Sequence, residues 1–294
     1  MIPAVKSESE RVDPHPVYRE FMNHLVARNF SRDEVRREVI PVYMGLIKQI
    51  DDQLGMLFAF MRERGLLDNT LIVFTSDHGD YLGDHWLGEK DLFHAPSVNI
   101  PLIVVDPSPA ADAARGSVCD AAVESIDLLP TFLDILGSDP REQSHRLEGR
   151  SLLPWLRGEM PAVWREIAFS EYDYSMFPAA VRLGVAPRDA RLFMAADKRW
   201  KYVHAIGFRP MLFDLQSDPE EFRDLGADPA YAAERERLSA ALADWGLRMS
   251  QRTTISEAQI LKGRGRSQRK GILIGVWDET DIPQDLWSAY RGEG

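Results

Sequence analysis

The chain has 294 residues, 45% hydrophobic and 28% charged, with a formal net charge of -11 and a single cysteine, Cys119. That length can bury the core of one large domain, or of one large and one smaller domain. The acidic balance argues against a general nucleic-acid binder, and one cysteine excludes an internal disulfide and any multi-cysteine metal site.

No apolar run reaches the roughly 20 residues of a membrane helix. "MIPAVKSESERVDPHP" at the start has no apolar signal core. A cytoplasmic protein without a membrane partner is the expectation. The polar first 20 residues carry three prolines. Ser31–Glu34 ("SRDE") fits a capping box, in which a hydroxyl and a carboxylate each satisfy an orphan amide. Val35, Val39, Tyr43, Leu46, Ile50, Leu54, Leu57 and Met61 then recur at steps of three or four. That period predicts a helix with one apolar stripe, kinked early by Pro41. Arg62, Arg64 and Gly65 suit its end: cations at the negative pole, then glycine for a left-handed cap.

"LIVF" at Leu71–Phe74 is a continuous apolar run, as in a strand covered on both faces. A glycine- and charge-rich loop follows. "IPLIVVD", Ile100–Asp106, is a second buried strand, with Pro101 tolerable only near its start. "SIDLLPTFLDILG" predicts a helix capped by Asp127, with Pro130 in its first turn and Gly137 at its end. Strand, crossover and strand point to an α/β class with a mainly parallel sheet flanked by helices.

Beyond residue 160 the texture changes. "EIAFSEY", "ARLFMAAD", "WKYVHA" and "MLFDL" are spaced like strands of an antiparallel sheet. "DPAYAAERERLSAALADWGLRM" predicts a helix introduced by Asp228 and Pro229. The expected division is residues 1–160, a partial α/β domain, and 161–294, a C-terminal subdomain and tail. "KGRGRSQRK" is a basic link with five cations. The apolar piece after it packs either on its own domain or on another copy of the chain.

The chemistry gathers where the first buried strand runs out, at Asp77-His78-Gly79. In an open α/β sheet, ligands sit at the carboxyl ends of strands. Adjacent residues of a strand face opposite ways. Asp77 and His78 can therefore face one ion only if the chain has left strand geometry, and Gly79 gives the freedom to turn. A carboxylate with an imidazole suits manganese or zinc, with calcium left open. Lys90, on the loop that follows, could bring an ammonium to a non-bridging oxygen of a phosphate or sulfate ester. It would thereby offset the negative field of the whole molecule.

These residues carry a family resemblance. "TLIVFTSDHGDYLGDHWLGEKDLF" with "NIPLIVVD" resembles the sulfatase branch of the alkaline phosphatase superfamily, within it the phosphonate monoester hydrolases and phosphodiesterase-type members. "YMGLIKQIDDQLGMLF" upstream, and "ESIDLLPTFLDILG", "KYVH", "MLFDLQSDPEE" and "KGILIGVWDE" downstream, resemble family segments in the usual order. The resemblance spans nearly the whole chain. It implies an incomplete alkaline-phosphatase-like core, with Asp77 and His78 as two ligands of one catalytic divalent metal and Lys90 on the charged oxygens of a small anionic ester. Typical sulfatases often place asparagine second in this pair. Histidine there is more similar to the phosphonate and phosphodiester branch.

The family nucleophile is a formylglycine made from the cysteine or serine of a C-x-P-S-R motif, and this chain departs from the pattern. Cys119 stands in "GSVCDAAVE" and is expected to be a buried or half-buried structural residue. The nucleophile and the first metal-binding acids would come from a segment preceding Met1, so this chain resembles the C-terminal half of such an enzyme. Three readings stand: a metal-dependent sulfate, phosphonate or phosphate ester hydrolase whose chain alone turns over little; an inactive fragment or pseudoenzyme with a structural or assembly role, for instance a homo-oligomer through the C-terminal tail; and another superfamily member such as a phosphomutase.

Other residues are weighed against plainer roles. His94 could reach substrate, although a polar loop favours a solvated imidazole. His85 is expected to order the loop by hydrogen bonding, and Asp80, Asp84, Glu89 and Asp91 to be solvated. His204 should be packed or half-exposed. His15 is a polar-loop residue with no partner apparent in the sequence.

Overall fold

The structure is a computed structural model in which residues 4–139, 147–247, 261–264, 278 and 280 are described. The apolar segment "KGILIGVWDE" and its role in assembly lie outside these residues, except for Asp278.

In chain order the helices and strands begin with α1 (Pro16–Met22), α2 (Leu25–Phe30), α3 (Asp33–Glu63), β1 (Ile72–Thr75), α4 (Ala95–Val98) and β2 (Leu102–Val105). They continue with α5 (Leu128–Ile135), α6 (Leu153–Leu156), β3 (Ala168–Asp173), α7 (Pro178–Arg182), β4 (Arg191–Ala196), β5 (Trp200–Ala205), β6 (Met211–Asp214) and α8 (Ala232–Gly246). The chain divides into two units. The first joins residues 1–45, 78–99 and 169–294; the second joins 46–77 and 100–168.

The first unit holds a four-stranded sheet in the order β3-β4-β5-β6. β5 pairs antiparallel with both β4 and β6, Met194 opposite Val203 and Tyr202 opposite Leu212. The four strands fall on the four segments whose spacing suggests an antiparallel sheet. Buried residues from sheet, loop and α1 interleave in one core: Val17 and Phe21 from α1, Tyr81 and Phe93 from the loop, Leu192 and Val203 from the sheet. α8 lies on β4 and β5 with Leu238 fully buried, and Trp245 stacks on Phe169 with ring centroids 5.2 Å apart. Asp228 does cap, accepting from Ala230 N at 2.9 Å, but it caps a short 3-10 turn, Pro229–Tyr231, that leads into α8.

The second unit is built around a two-stranded ribbon, and its pairing corrects the expectation of parallel strands. β1 and β2 run antiparallel, Ile72 opposite Val105 and Phe74 opposite Ile103. Strand, crossover and strand suggest parallel pairing, but the segment between β1 and β2 brings the second strand back antiparallel, and an apolar run carries no direction of its own. α5 is held by Asp127. Its buried carboxylate accepts from Glu124 N at 2.9 Å and Arg150 N at 2.7 Å, and both guanidinium nitrogens of Arg165 bind it. Asp127 thus stands at the start of the helix, as its sequence position suggests, but its carboxylate ties distant backbone together instead of capping α5.

α3 runs unbroken from Asp33 to Glu63 with Pro41 inside it, where one backbone hydrogen bond is forgone. Its start is not the expected capping box. The Ser31 hydroxyl turns back to donate to Ala27 O at 2.6 Å, and Glu34 accepts from Arg32 Nε at 2.8 Å. No helix among the described residues is long and apolar enough to cross a membrane.

Candidate metal centre

Past Thr75 the chain leaves β1, and Asp77 is the last residue of the second unit. It is exposed, while His78, the next residue, is half-buried and begins a segment of the first unit. The bend falls at Asp77, and Gly79, two residues on, lies against the backbone of α4. The Gly79 amide donates to Ser97 O at 2.8 Å, and a Cβ there would sit 1.9 Å from Pro96 O. Backbone passing this close leaves room only for glycine.

His78 and Lys90 are brought together. Lys90 Nζ lies 3.1 Å from His78 Nε2, and the other ring nitrogen, Nδ1, lies 2.7 Å from Gly79 O. A carbonyl can only accept, so Nδ1 carries the proton. Nε2 therefore presents a lone pair, and the Lys90 ammonium donates to it. A backbone carbonyl that fixes the tautomer and aims the free nitrogen is the usual support of a metal-bound histidine. The side chain thus fits the role of a ligand through Nε2. Lys90 itself is exposed, as a group that meets substrate must be.

The loop that carries Lys90 has an unusual backbone. Leu82, His85, Trp86, Glu89, Asp91 and Leu92 all adopt positive φ, from 46° to 80°. Each such non-glycine residue costs of order 1 kcal/mol and persists only where the surroundings over-determine it. Here they do. Asp84 accepts from Val5 N at 2.9 Å and pairs with Arg36 at 3.1 Å; His85 N donates to Val5 O at 2.7 Å; Trp86 Nε1 donates to Ser7 O at 2.8 Å. Arg36 also donates to Leu82 O. At the loop's far end Lys201 donates to Phe93 O at 2.7 Å, and Glu221 accepts from Ala95 N at 2.7 Å. Lys201 and Glu221 are themselves a buried ion pair at 2.5 Å. Burial pushes the Lys201 ammonium down in pKa, and Glu221 opposes that shift.

His94 is not the solvated residue that a polar loop suggests. It is 3% exposed, its Nδ1 lies 3.2 Å from the Tyr81 hydroxyl, and it stacks on His85 at 3.9 Å with the rings 4° from parallel. Burial first, then His85 and Lys201, hold its pKa well below the usual histidine range, so it is neutral. His85 does order the loop, through a bond from Nδ1 to Glu10 Oε1 at 2.7 Å. Among the described residues, Glu10, His85 and His94 form the one group of three potential metal-binding side chains, their ligand atoms lying within 4.8 Å of one another. Imidazole lone pairs lie in the ring plane, so two parallel stacked rings aim them side by side instead of at one point. With Glu10 already bonded to His85, the trio is built as a packing cluster.

Three other expectations change. Cys119 is exposed rather than buried. His15 has partners: it begins α1, accepting from Val17 N through Nδ1 at 3.3 Å and donating from Nε2 to Arg209 O at 2.9 Å. Of the loop acids only Glu89 is exposed; burial raises the carboxyl pKa of Asp80 and Asp91.

The sequence reading missed Glu10, Tyr81, Lys201 and Glu221. One signal was available. Ser7–Glu10 ("SESE") has capping-box spacing, and the box forms: Ser7 N donates to Glu10 Oε2 at 2.7 Å while Oε1 reaches His85. Lys201 and Glu221 gave no local signal, because their partners lie far along the chain.

The fold is of the α/β class, and comparison with known proteins says to which family it belongs. The family model "Sulfatase" matches residues 11–138, and "N-sulphoglucosamine sulphohydrolase, C-terminal" matches residues 83–247, more than half of the chain. The chain belongs to the sulfatase branch of the alkaline phosphatase superfamily. It is 37% identical over 254 residues to the multifunctional alkaline phosphatase superfamily protein PehA of Trinickia caryophylli, covering 81% of this chain and 48% of that one. A choline-sulfatase of Rhizobium meliloti is 30% identical over 230 residues, covering 78% and 41%. Among solved structures, the phosphonate monoester hydrolase of Silicibacter pomeroyi superposes with a TM-score of 0.73 at 32% identity, covering 85% of this chain and 50% of that chain. The phosphonate monoester hydrolase of Agrobacterium radiobacter gives 0.64 at 35% identity, covering 69% and 40%. The chain therefore spans about half the length of the relatives it matches.

Proposed function

We propose that this chain supplies the metal-and-lysine end of a hydrolase acting on small sulfate, phosphonate or phosphate esters. The observation that carries the reading is the 3.1 Å approach of Lys90 Nζ to His78 Nε2, with the tautomer of His78 set by Gly79 O. Asp77 and His78 would be two of the ligands of one divalent ion. Manganese and zinc suit that pair better than calcium. When bound, such an ion draws charge from the oxygens of the ester.

The chain's own residues position the charges around it. Gly79 O holds the proton on Nδ1 of His78. Lys90 offers a fixed positive charge to a non-bridging oxygen, and the over-determined loop keeps that charge in place as negative charge grows on the ester. The histidine after Asp77 favours phosphonate and phosphodiester substrates over sulfates, and the relatives named for phosphonate monoester hydrolysis support the same preference. Cys119 is followed by Asp-Ala-Ala instead of the Pro-Ser-Arg context from which the family's formylglycine is made. These 294 residues therefore offer no cysteine in the context of the family's nucleophile.

Two measurements test the reading. Titration of the chain with manganese and zinc should show one site that Asp77→Ala weakens at least tenfold. Lys90→Met should leave that metal site intact while lowering affinity for a phenylphosphonate anion in the metal-loaded chain. Equal metal content in the Asp77→Ala variant and its parent contradicts the assignment. So does rapid hydrolysis of aryl phosphonate or aryl sulfate esters by the purified chain alone, because that would require a nucleophile this sequence does not hold.

A further inference from the structure

Lys90 stands between two acids, Glu89 and Asp91. A carboxylate next in the chain to an ammonium is well placed to pair with it, and such a pair cancels the charge that an anion would meet. The amine is instead held 3.1 Å from Nε2 of His78. The two acids go different ways: Glu89 is exposed, and Asp91 is half-buried. The backbone takes Asp91 inward. Glu89, Asp91 and Leu92 have φ of 58°, 80° and 57°, and Leu92 is 3% exposed in the core.

Burying a carboxyl is costly unless a donor meets it. The donor that Asp91 meets is Tyr172 on β3. The Tyr172 hydroxyl is buried and makes no hydrogen bond of ordinary geometry, and the carboxyl that bears on it is Asp91. Burial first, then Asp91 by charge and by hydrogen bonding, push the phenol up in pKa. Burial likewise raises the Asp91 carboxyl, and the Tyr172 hydroxyl is the group that most opposes that rise. The ring itself is fixed by packing. It stands edge-on to Phe21 of α1 at 5.9 Å and tilted against Phe177 at 6.1 Å, between centroids.

We propose that Tyr172 is a positioning residue for Lys90: its hydroxyl draws the Asp91 carboxyl into the interior and so keeps the neighbouring ammonium unpaired for the charged oxygen of an ester. The inference rests on the reading of Lys90 as the charge that meets substrate, and it adds why that charge is not cancelled from within the chain. Tyr172 acts through Asp91 and not by contact with the ester.

The test uses the full 294-residue chain. Tyr172→Phe removes the hydroxyl and keeps the ring. Asp91→Asn removes the charge, and asparagine is among the side chains that best tolerate positive φ. One readout is the rate at which trinitrobenzenesulfonate labels the Lys90 amine in the metal-free chain, followed by peptide mass spectrometry. The other is the affinity of the manganese-loaded chain for phenylphosphonate. Exposed ion pairs are weak, so Tyr172→Phe should slow labelling and weaken phenylphosphonate binding by about threefold each. Manganese affinity should not move. Adding Asp91→Asn should restore both readouts, because no carboxylate is left to reach Lys90; a hydroxyl that merely stiffened the loop would not be replaced by that second change. Unchanged labelling in Tyr172→Phe, or an equal loss in the double variant, overturns the proposal. Should Tyr172→Phe fail to fold by circular dichroism, Asp91→Asn alone decides. Labelling at the parent rate upholds the proposal, and labelling faster by about threefold means that Asp91 already pairs with Lys90, which overturns it. Labelling needs neither metal nor ester. If Lys90→Met leaves phenylphosphonate affinity unchanged, the hydrolase reading falls, and the Tyr172–Asp91 pair is still judged by the amine's reactivity.

Discussion

The two sheets of this protein are made of similar residues and end in opposite conditions. In the first unit, β5 is buried along both faces except at His204, and β6 is buried throughout. In the second, β1 and β2 carry runs just as apolar, "IVFT" and "LIVV", yet none of their residues is fully buried. The difference lies in what surrounds them. β4 and β5 have α8 on one side, and the shared core of loop and α1 residues packs with the same sheet. On the ribbon's Ile72–Val105 face, Phe74, Ile103 and Val105 stay exposed among the described residues. Hydrophobicity of a strand therefore states what the strand needs, and only the rest of the chain states whether the need is met.

The largest test of the closed unit is its buried charge pair. Lys201 and Glu221 are 5% and 2% exposed and anchor Phe93 O and Ala95 N at the end of the Lys90 loop. Lys201→Met should destabilise the chain by about 3–5 kcal/mol, because Glu221 is left as an uncompensated buried charge. Urea unfolding measures this. Adding Glu221→Gln should return part of the loss. If the single variant unfolds like its parent, the loop is not held as described.

A core leucine comes next. Leu238→Ala in α8 removes a fully buried side chain and should cost about 2–4 kcal/mol, by the same urea measurement. Leu242→Ala, slightly more exposed at 7%, should cost less.

Acid gives a smaller effect whose sign follows from burial. His15 is held neutral, with its pKa pushed down from 6.5 to about 4 chiefly by burial. Its Nδ1 already accepts from Val17 N, so a proton there would face an N–H. The unfolded chain takes up this proton first. Stability from this group is therefore full above about pH 6.5 and declines as pH falls toward 4. Between pH 7 and pH 5 the loss should be about 2 kcal/mol. His94, also depressed by burial, acts in the same direction. His15→Asn keeps a side chain able to cap α1 and should flatten the pH dependence. An unchanged slope would show that His15 does not carry it.

How much of this was readable beforehand differs between the two units for the same physical reason. The strands of the closed sheet follow from the spacing of their segments, because each strand's own residues report its burial. Asp77, His78 and Lys90 stand out because a strand end, a glycine and a charged loop are local features. The antiparallel pairing of β1 with β2 could not be read from apolar runs that carry no direction. The burial of His94 was missed because its neighbours come from far away: Tyr18 on α1, Phe213 on β6 and the stacked ring of His85. Polar loops are usually solvated, but here the segment from Val5 to Glu10 bonds to Asp84, His85 and Trp86, and His85 and His94 are buried.

The smallest expected effect on stability separates the two units most sharply. Leu57 in α3 and Leu238 in α8 are the same residue type on helices of the same chain, one 49% exposed and the other buried completely. Replacing Leu57 with glutamine should change the unfolding free energy of this chain by no more than about 0.5 kcal/mol, since an exposed side chain loses little when truncated or made polar. The same change should raise the concentration at which the purified chain aggregates, because it interrupts an apolar stripe that water now wets. Ile103→Thr on the ribbon should act alike: its hydroxyl suits an open face, and β-branching keeps the strand geometry. If either substitution instead costs as much as Leu238→Ala, then the open stripe is already covered within this chain in solution, and the contrast between the two units disappears.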